Sequence, residues 1–196
     1  MGFKRPNETE YAEMLAAVKP LVGKYNIVNV VAGRGHDCGG LICDIKKGTK
    51  LIGTYHDDGW GGEAEVNIFD LKDYNELLKF IQSSGTCEIT DAAYGMETSY
   101  DNENYTITSF IELLSDLKYD KKWVKLTNSK LIYGASRNSY NVVNWKGVKT
   151  LNDMVTKYND RGVVYLQKKI DDLVKDGKNV LTNPEYLTKL GIKINK

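Results

Sequence analysis

The chain has 196 residues, with 27 Lys and Arg against 26 Asp and Glu and a net charge of +1. That balance supplies no global field toward nucleic acid or a membrane surface. A hydrophobic fraction of 41% with 20 aromatic residues is enough for a core that needs no covalent staples. Three cysteines, Cys38, Cys43 and Cys87, do not make the framework of a disulfide-built secreted domain. The start, Met-Gly-Phe-Lys-Arg-Pro, lacks the apolar stretch of a secretory signal. No apolar run reaches membrane-spanning length, so the expectation is a cytoplasmic protein with no membrane partner.

In chain order, residues 8–22 read as a helix capped by Asn7, with Tyr11, Leu15 and Val18 on one stripe and Pro20 ending or kinking it. Tyr25–Ala32 is rich in Val and Ile and reads as a strand. Leu41–Lys46 and Lys50–His56 form a hairpin turning at Lys47-Gly48-Thr49, and Glu65–Phe69 alternates as a fourth strand. Asp70 caps a helix bearing Leu71, Tyr74, Leu77, Leu78 and Ile81, which Gly85 ends. Residues 86–107 are polar and carry no periodicity. Ser109-Phe110-Ile111-Glu112 has the form of a capping box opening a short helix to about Leu117. Lys122–Leu126, Lys130–Gly134 and Tyr140–Trp145 read as strands. Thr150 caps a helix with Leu151, Met154, Val155 and Tyr158. Gly162–Leu166 reads as a strand leading into a helix with Ile170, Leu173 and Val174. Asn183-Pro184-Glu185 opens a last helix stopped by Gly191.

Strands and helices without regular βαβ alternation define an α+β class, mainly antiparallel sheet with packed helices. The reading divides the chain into a strand-rich subdomain over 1–100 and an α+β subdomain over 101–196, with a single domain as the alternative.

The densest chemistry lies in His56-Asp57-Asp58-Gly59-Trp60-Gly61-Gly62-Glu63. Glycines there permit tight backbone turns. Trp60 is either an anchor packed over the hairpin, the reading favoured by the usual burial of tryptophan, or an exposed contact residue. His36, His56, Asp57 and Asp58 are the candidate metal ligands, because antiparallel pairing of the hairpin brings the two histidine loops to one sheet end. No paired-ligand spacing supports them, and short acids beside glycine are ordinary turn formers. The glycine loop 33–40 follows a strand as a dinucleotide loop does, but the next segment reads as a strand where the fingerprint needs a helix. Cys38 lies two residues from His36 without the geometry of a nucleophile and base. No catalytic residues and no cofactor are assigned.

Charge is segregated along the chain. From Phe80 to Leu117 there are seven acids (Glu88, Asp91, Glu97, Asp101, Glu103, Glu112, Asp116) and no Lys or Arg. From Lys118 to Lys149 eight basic residues face only Asp120, interleaved with Tyr119, Trp123, Tyr133, Tyr140 and Trp145. The two stretches can neutralise each other. The acidic one can also present a patch to a basic protein. Lys121, Lys122, Trp123 and Lys125, on a strand, can hold single-stranded nucleic acid.

The hairpin entered at Gly40, its Lys-Gly turn and the Asp57-Asp58-Gly59-Trp60-Gly61-Gly62 segment resemble uncharacterised accessory proteins of tailed phages and prophages. So do the strands at Lys130–Tyr133 and Asn141–Trp145 and the later Tyr158-Asn159-Asp160-Arg161-Gly162-Val163-Val164. The resemblance implies a phage origin and a non-structural role, often the binding of a host protein, including a defence component; it carries over no catalytic residues. The leading expectation is a non-enzymatic binding protein that engages or inhibits a host or phage macromolecule, with a host or phage protein as the expected partner. Its contact groups would be Asp57, Asp58, Trp60, Tyr94, Tyr100, Asp101 and Glu103. The competing expectations are a metal-dependent hydrolase on the two histidine loops and a single-strand-binding protein.

Overall fold

The computed structural model describes residues 5–32, 40–60 and 62–193. Among them the elements run α1 (Glu8–Val18), β1 (Tyr25–Ala32), β2 (Leu41–Lys47), β3 (Lys50–Asp57), β4 (Glu65–Ile68), α2 (Leu71–Ser84) and α3 (Thr86–Ala93). They continue through α4 (Glu103–Thr127), β5 (Leu131–Ser136), β6 (Ser139–Val143), α5 (Leu151–Tyr158), α6 (Asp160–Lys175) and α7 (Pro184–Lys189). The class is α+β, with antiparallel sheets. Two compact units divide the chain, Met1–Lys118 and Tyr119–Lys196. No helix among the described residues is long and apolar enough to cross a membrane.

In the first unit, α1 begins where its orphan donors find an acceptor. The Asn7 side chain accepts from the N–H groups of Thr9 and Glu10, and the Glu10 carboxylate accepts the Asn7 N–H. Pro20 cannot continue a helix, and α1 ends at Val18 rather than at residue 22. The sheet is a meander in the order β1-β2-β3-β4, antiparallel throughout. Gly48-Thr49 make the turn between β2 and β3, with Gly48 at φ 64 where a side chain would be strained.

Alternation sends Cys43, Ile45, Ile27 and Tyr55 into the core, while Ile42, His56 and Glu65 share a cross-strand row on the opposite face. The buried face joins Met14, Leu15 and Val18 of α1, Leu77, Leu78 and Ile81 of α2, and Ile107, Phe110 and Ile111 of α4. Tyr25, Phe80 and Phe110 meet with ring centroids 4.7, 6.0 and 6.2 Å apart, tying β1, α2 and α4 together. Lys47–Glu76 and Lys50–Asp73 ion pairs fasten the hairpin turn to α2.

Two expectations in this region are overturned. Ser109–Glu112 is not a helix start but an interior turn of α4, which begins at Glu103. Its opening N–H groups are served by Asn102, whose side chain accepts from Tyr105 N–H at 3.0 Å. Lys122–Leu126 is not a strand but the continuation of that helix. Once a helix is nucleated and anchored by buried Ile107, Phe110, Ile111 and Leu114, adding residues costs little. The local strand preference of Trp123 and Val124 is too weak to stop it. Residues without sequence periodicity also include α3, held by burial of Thr86 and Cys87.

In the second unit, β5 and β6 pair as a hairpin whose Leu131 enters a separate core with Leu151, Met154, Leu166, Ile170, Leu173 and Leu187. The buried Thr182 hydroxyl accepts the Ile132 N–H at 2.8 Å and donates to the Lys130 carbonyl at 3.0 Å, so the chain before α7 completes the free side of β5. Thr150 and Asp153 form the capping box of α5. Gly162–Leu166 is helical within α6, which corrects the strand reading. Gly162, Leu166, Ile170 and Leu173 are buried at helical spacing, and that stripe overrides the strand propensity of Val163-Val164-Tyr165. α7 starts at Pro184 behind Asn183, and Gly191 follows it at φ 81.

Gly162 has a packing reason. A Cβ there would lie 2.6 Å from the Met154 carbonyl oxygen of α5. In an exposed helix interior, Gly→Ala stabilises by about 1 kcal/mol. At this position Gly162→Ala is expected to destabilise by roughly 1–3 kcal/mol, as overpacking does, read as a lower urea midpoint. Tyr55 supplies the opposite case. Its ring is fully buried and its hydroxyl has no hydrogen-bond partner among the described residues. Tyr55→Phe removes an unsatisfied group and is expected to raise stability by about 1 kcal/mol in the same assay; a large loss would show that the hydroxyl is paired.

Candidate functional site

The turn after β3 is built by its own acids. The Asp57 carboxylate accepts the Gly59 N–H at 2.8 Å and the Asp58 carboxylate accepts the Trp60 N–H at 2.9 Å. Each is a side chain standing in for a backbone turn bond. Gly59 is buried at φ 73, a conformation that favours glycine. Gly40 backs the turn so closely that a Cβ on it would sit 2.4 Å from the Asp57 carbonyl oxygen. Together these contacts hold the backbone of the turn in place. Trp60 keeps 65% of its surface exposed, so it is not the buried anchor that tryptophan's average burial favoured.

Beside the turn lies an open groove of about 600 Å³, lined among others by His56, Asp58, Glu63, Glu65 and Asn104. Strand register makes one wall: His56 pairs with Glu65, their Nδ1 and Oε2 atoms 4.0 Å apart. The start of α4 makes another. Asn104 Nδ2 donates to Glu63 Oε1 at 3.0 Å and to the Ala64 carbonyl at 3.3 Å. These two hydrogen bonds bring the chain just after the turn beside the segment carrying Asp101 and Glu103, two groups far apart in sequence. Register gives a sequence-level signal for Glu65, whereas Asn104 has none.

The remaining expected contact residues are placed as follows. Asp101 is exposed and accepts from Ser99 Oγ at 2.9 Å. Glu103 is exposed and accepts from the Tyr74 hydroxyl at 2.8 Å. Tyr94 and Tyr100 pack half-buried against the first core, and the Tyr100 hydroxyl donates to Glu88 at 2.8 Å. Burial, then the bonded Glu88, push the Tyr100 hydroxyl up from its ordinary value. The carboxyl of Glu112 on α4 is held above the ordinary carboxylate range by loss of surrounding water and by the charges of Asp116 and Asp57.

Of the candidate metal ligands, His56, Asp57 and Asp58 stand at this turn, while His36 lies outside the described residues. No three His, Cys, Asp or Glu side chains among the described residues are grouped to hold a metal ion. The segment after the glycine loop is β2, a strand, so the helix that a dinucleotide fingerprint needs does not follow it. Cys38 lies outside the described residues. Cys43 and Cys87 are buried free thiols.

In the second unit, Lys121, Lys122, Trp123 and Lys125 stand on α4 and not on a strand. Trp123 meets Tyr140 of β6 edge-on at 5.2 Å, and Lys122 Nζ lies 5.4 Å from the Tyr119 ring centre. Arg137 pairs with Asp120, the lone acid of the basic stretch, at 3.1 Å.

No protein-family model matches this chain, and neither the curated proteins nor the solved structures yield a match.

Burial first, and then neighbouring acids, push both the Cys43 and the Cys87 thiol up to about 11. The reactive thiolate is therefore scarce at neutral pH. In a Cys38→Ala background, the native protein is expected to react with a thiol reagent at least about 100-fold more slowly than the urea-unfolded chain. A colorimetric thiol assay at pH 7.5 checks this.

Proposed function

We propose that the protein is a non-enzymatic binding protein whose first unit docks a partner protein through the Asp57–Trp60 turn and the groove beside it. The observation that carries the proposal is a tryptophan 65% exposed at the tip of a turn that two side-chain-to-backbone bonds hold rigid. A backbone held this way lowers the conformational cost of presenting the indole to a partner pocket. Tryptophans of this kind dominate interface energetics.

The partner's chemistry follows from the groove beside it. Asp58, Glu63 and Glu65 line it, with Asp101 and Glu103 close by in the chain to the Asn104 wall. Residues 1–118 hold 11 Lys and Arg against 19 Asp and Glu, a net −8. A surface that offers an apolar pocket rimmed by Lys or Arg complements this arrangement. The likeness to phage accessory proteins adds the proposal that the partner is a host or phage protein. The turn residues Asp57, Asp58 and Trp60 lead this reading, with Asp101 and Glu103 in the segment that Asn104 ties to Glu63; Tyr94 and Tyr100, half-buried against the first core, contribute less.

The test is capture of a partner by the tagged chain from lysate of its natural host, followed by calorimetry with the purified partner. Trp60→Ala is expected to weaken binding by about 30-fold, the scale of a hot-spot loss of 2 kcal/mol. Its effect on the thermal unfolding of the free protein should stay within about 0.5 kcal/mol, as at other exposed positions. Charge reversal at Glu63 and Glu65 is expected to reduce the association rate and its salt dependence. Unchanged affinity in both variants would reject this surface.

A further inference from the structure

We infer that the second unit binds single-stranded nucleic acid on the surface formed by the β6–α5 loop and the exposed face of α6. The inference is independent of the turn in the first unit and uses a different part of the chain.

Charge points to the ligand first. Residues 119–196 hold 16 Lys and Arg against 7 Asp and Glu, a net +9 in a chain whose total is only +1. A single compact unit with that excess attracts a polyanion, and the near-neutral total conceals it.

Exposed rings distinguish the polyanion. Trp145 meets Tyr165 of α6 edge-on, with centroids 6.4 Å apart, and its indole N–H donates to the Tyr165 hydroxyl at 3.4 Å. Tyr165 is nonetheless 50% exposed and Tyr158 is 43% exposed. Fixed aromatic rings open to solvent accept stacked bases without regard to sequence.

Cations stand beside these rings. Lys157 Nζ lies 5.3 Å from the Tyr158 ring centre, and a Cβ on Gly147 would come within 3.8 Å of it, so the loop after Trp145 runs alongside this ammonium. Exposed Lys146 follows Trp145 in that loop. Exposed Arg161 precedes Tyr165 by four residues and Lys169 follows it by four, which places all three on one helix face. Asp153 is occupied by the cap of α5; the acids beside this face are Asp160, next to Arg161, and exposed Asp172, three residues after Lys169, against Lys146, Lys157, Arg161 and Lys169. Rings to stack and ammonium or guanidinium groups to neutralise phosphates are the two requirements of single-strand binding. An anionic lipid surface or an acidic protein would use the charges alone.

The test is fluorescence anisotropy of a labelled 20-nucleotide oligothymidylate titrated with the full chain at low salt, with polyglutamate and anionic phosphatidylglycerol vesicles as competitors. The expected result is binding whose log–log salt slope is about −0.7 for each phosphate contacted. Tyr165→Ala should weaken it about tenfold, and Tyr165→Phe, which keeps the ring, should leave it near wild type. Lys157→Gln with Arg161→Gln should reduce the magnitude of the slope by about 1.4. Circular dichroism confirms that the variants are folded. Absence of binding at low salt, equal displacement by polyglutamate or vesicles, or full affinity in Tyr165→Ala would each overturn the inference. Loss of strand binding in Trp60→Ala would assign it to the other unit and overturn it as well.

Discussion

Contact among Tyr25, Phe80 and Phe110 is the constraint on which the first unit depends. These rings come from β1, α2 and α4, and no two of those elements adjoin in sequence. Their burial orients one sheet face inward, and a half-buried antiparallel sheet fixes its register because a slip of one residue would turn every apolar side chain outward. Gly23 sits against this cluster, where a Cβ would come within 2.9 Å of the Phe80 ring. Even the approach of β1 to the core is thus set by ring packing.

Register then determines what the opposite face and the sheet end can do. Cys43 and Tyr55 point inward, so Ile42, His56 and Glu65 must point outward in one row. β3 ends at Asp57 with its backbone against Gly40, and the chain reverses over Asp57–Trp60 with its own carboxylates as hydrogen-bond acceptors. Two acids that a charge-based reading offers to a metal or a partner therefore have a structural task first.

The two units differ in charge as sharply as in architecture. α4 carries the change within one helix: Glu103 near its positive N-terminal end, Lys121, Lys122 and Lys125 toward its negative C-terminal end. That order agrees with the helix dipole. A net charge near zero for the whole chain is thus a poor guide to what either unit attracts, because a ligand within a Debye length senses one unit's field.

Much of the fold was legible where a local signal and a buried stripe coincide. Asn7, Asp70, Thr150 and Asn183 cap the helices they were expected to cap, and Lys47-Gly48-Thr49 marks the hairpin turn, because each satisfies backbone groups within a few residues of itself. Legibility failed at α3, at Ser109 and Lys122–Leu126 of α4, and at Gly162–Leu166 of α6. There the local pattern names a strand, a cap or nothing, and packing decides otherwise. Gly162 is the clearest instance: beside two valines it reads as strand, yet it is the residue small enough for α6 to lie against Met154. In the candidate site, the sequence alone determined the tight turn, its acids and the segregation of charge, since these follow from residue type and order. Tertiary structure alone decided that Trp60 faces solvent, that Asn104 reaches Glu63, and that Trp145 meets Tyr165. Those are contacts between segments whose approach is set by burial elsewhere in each unit.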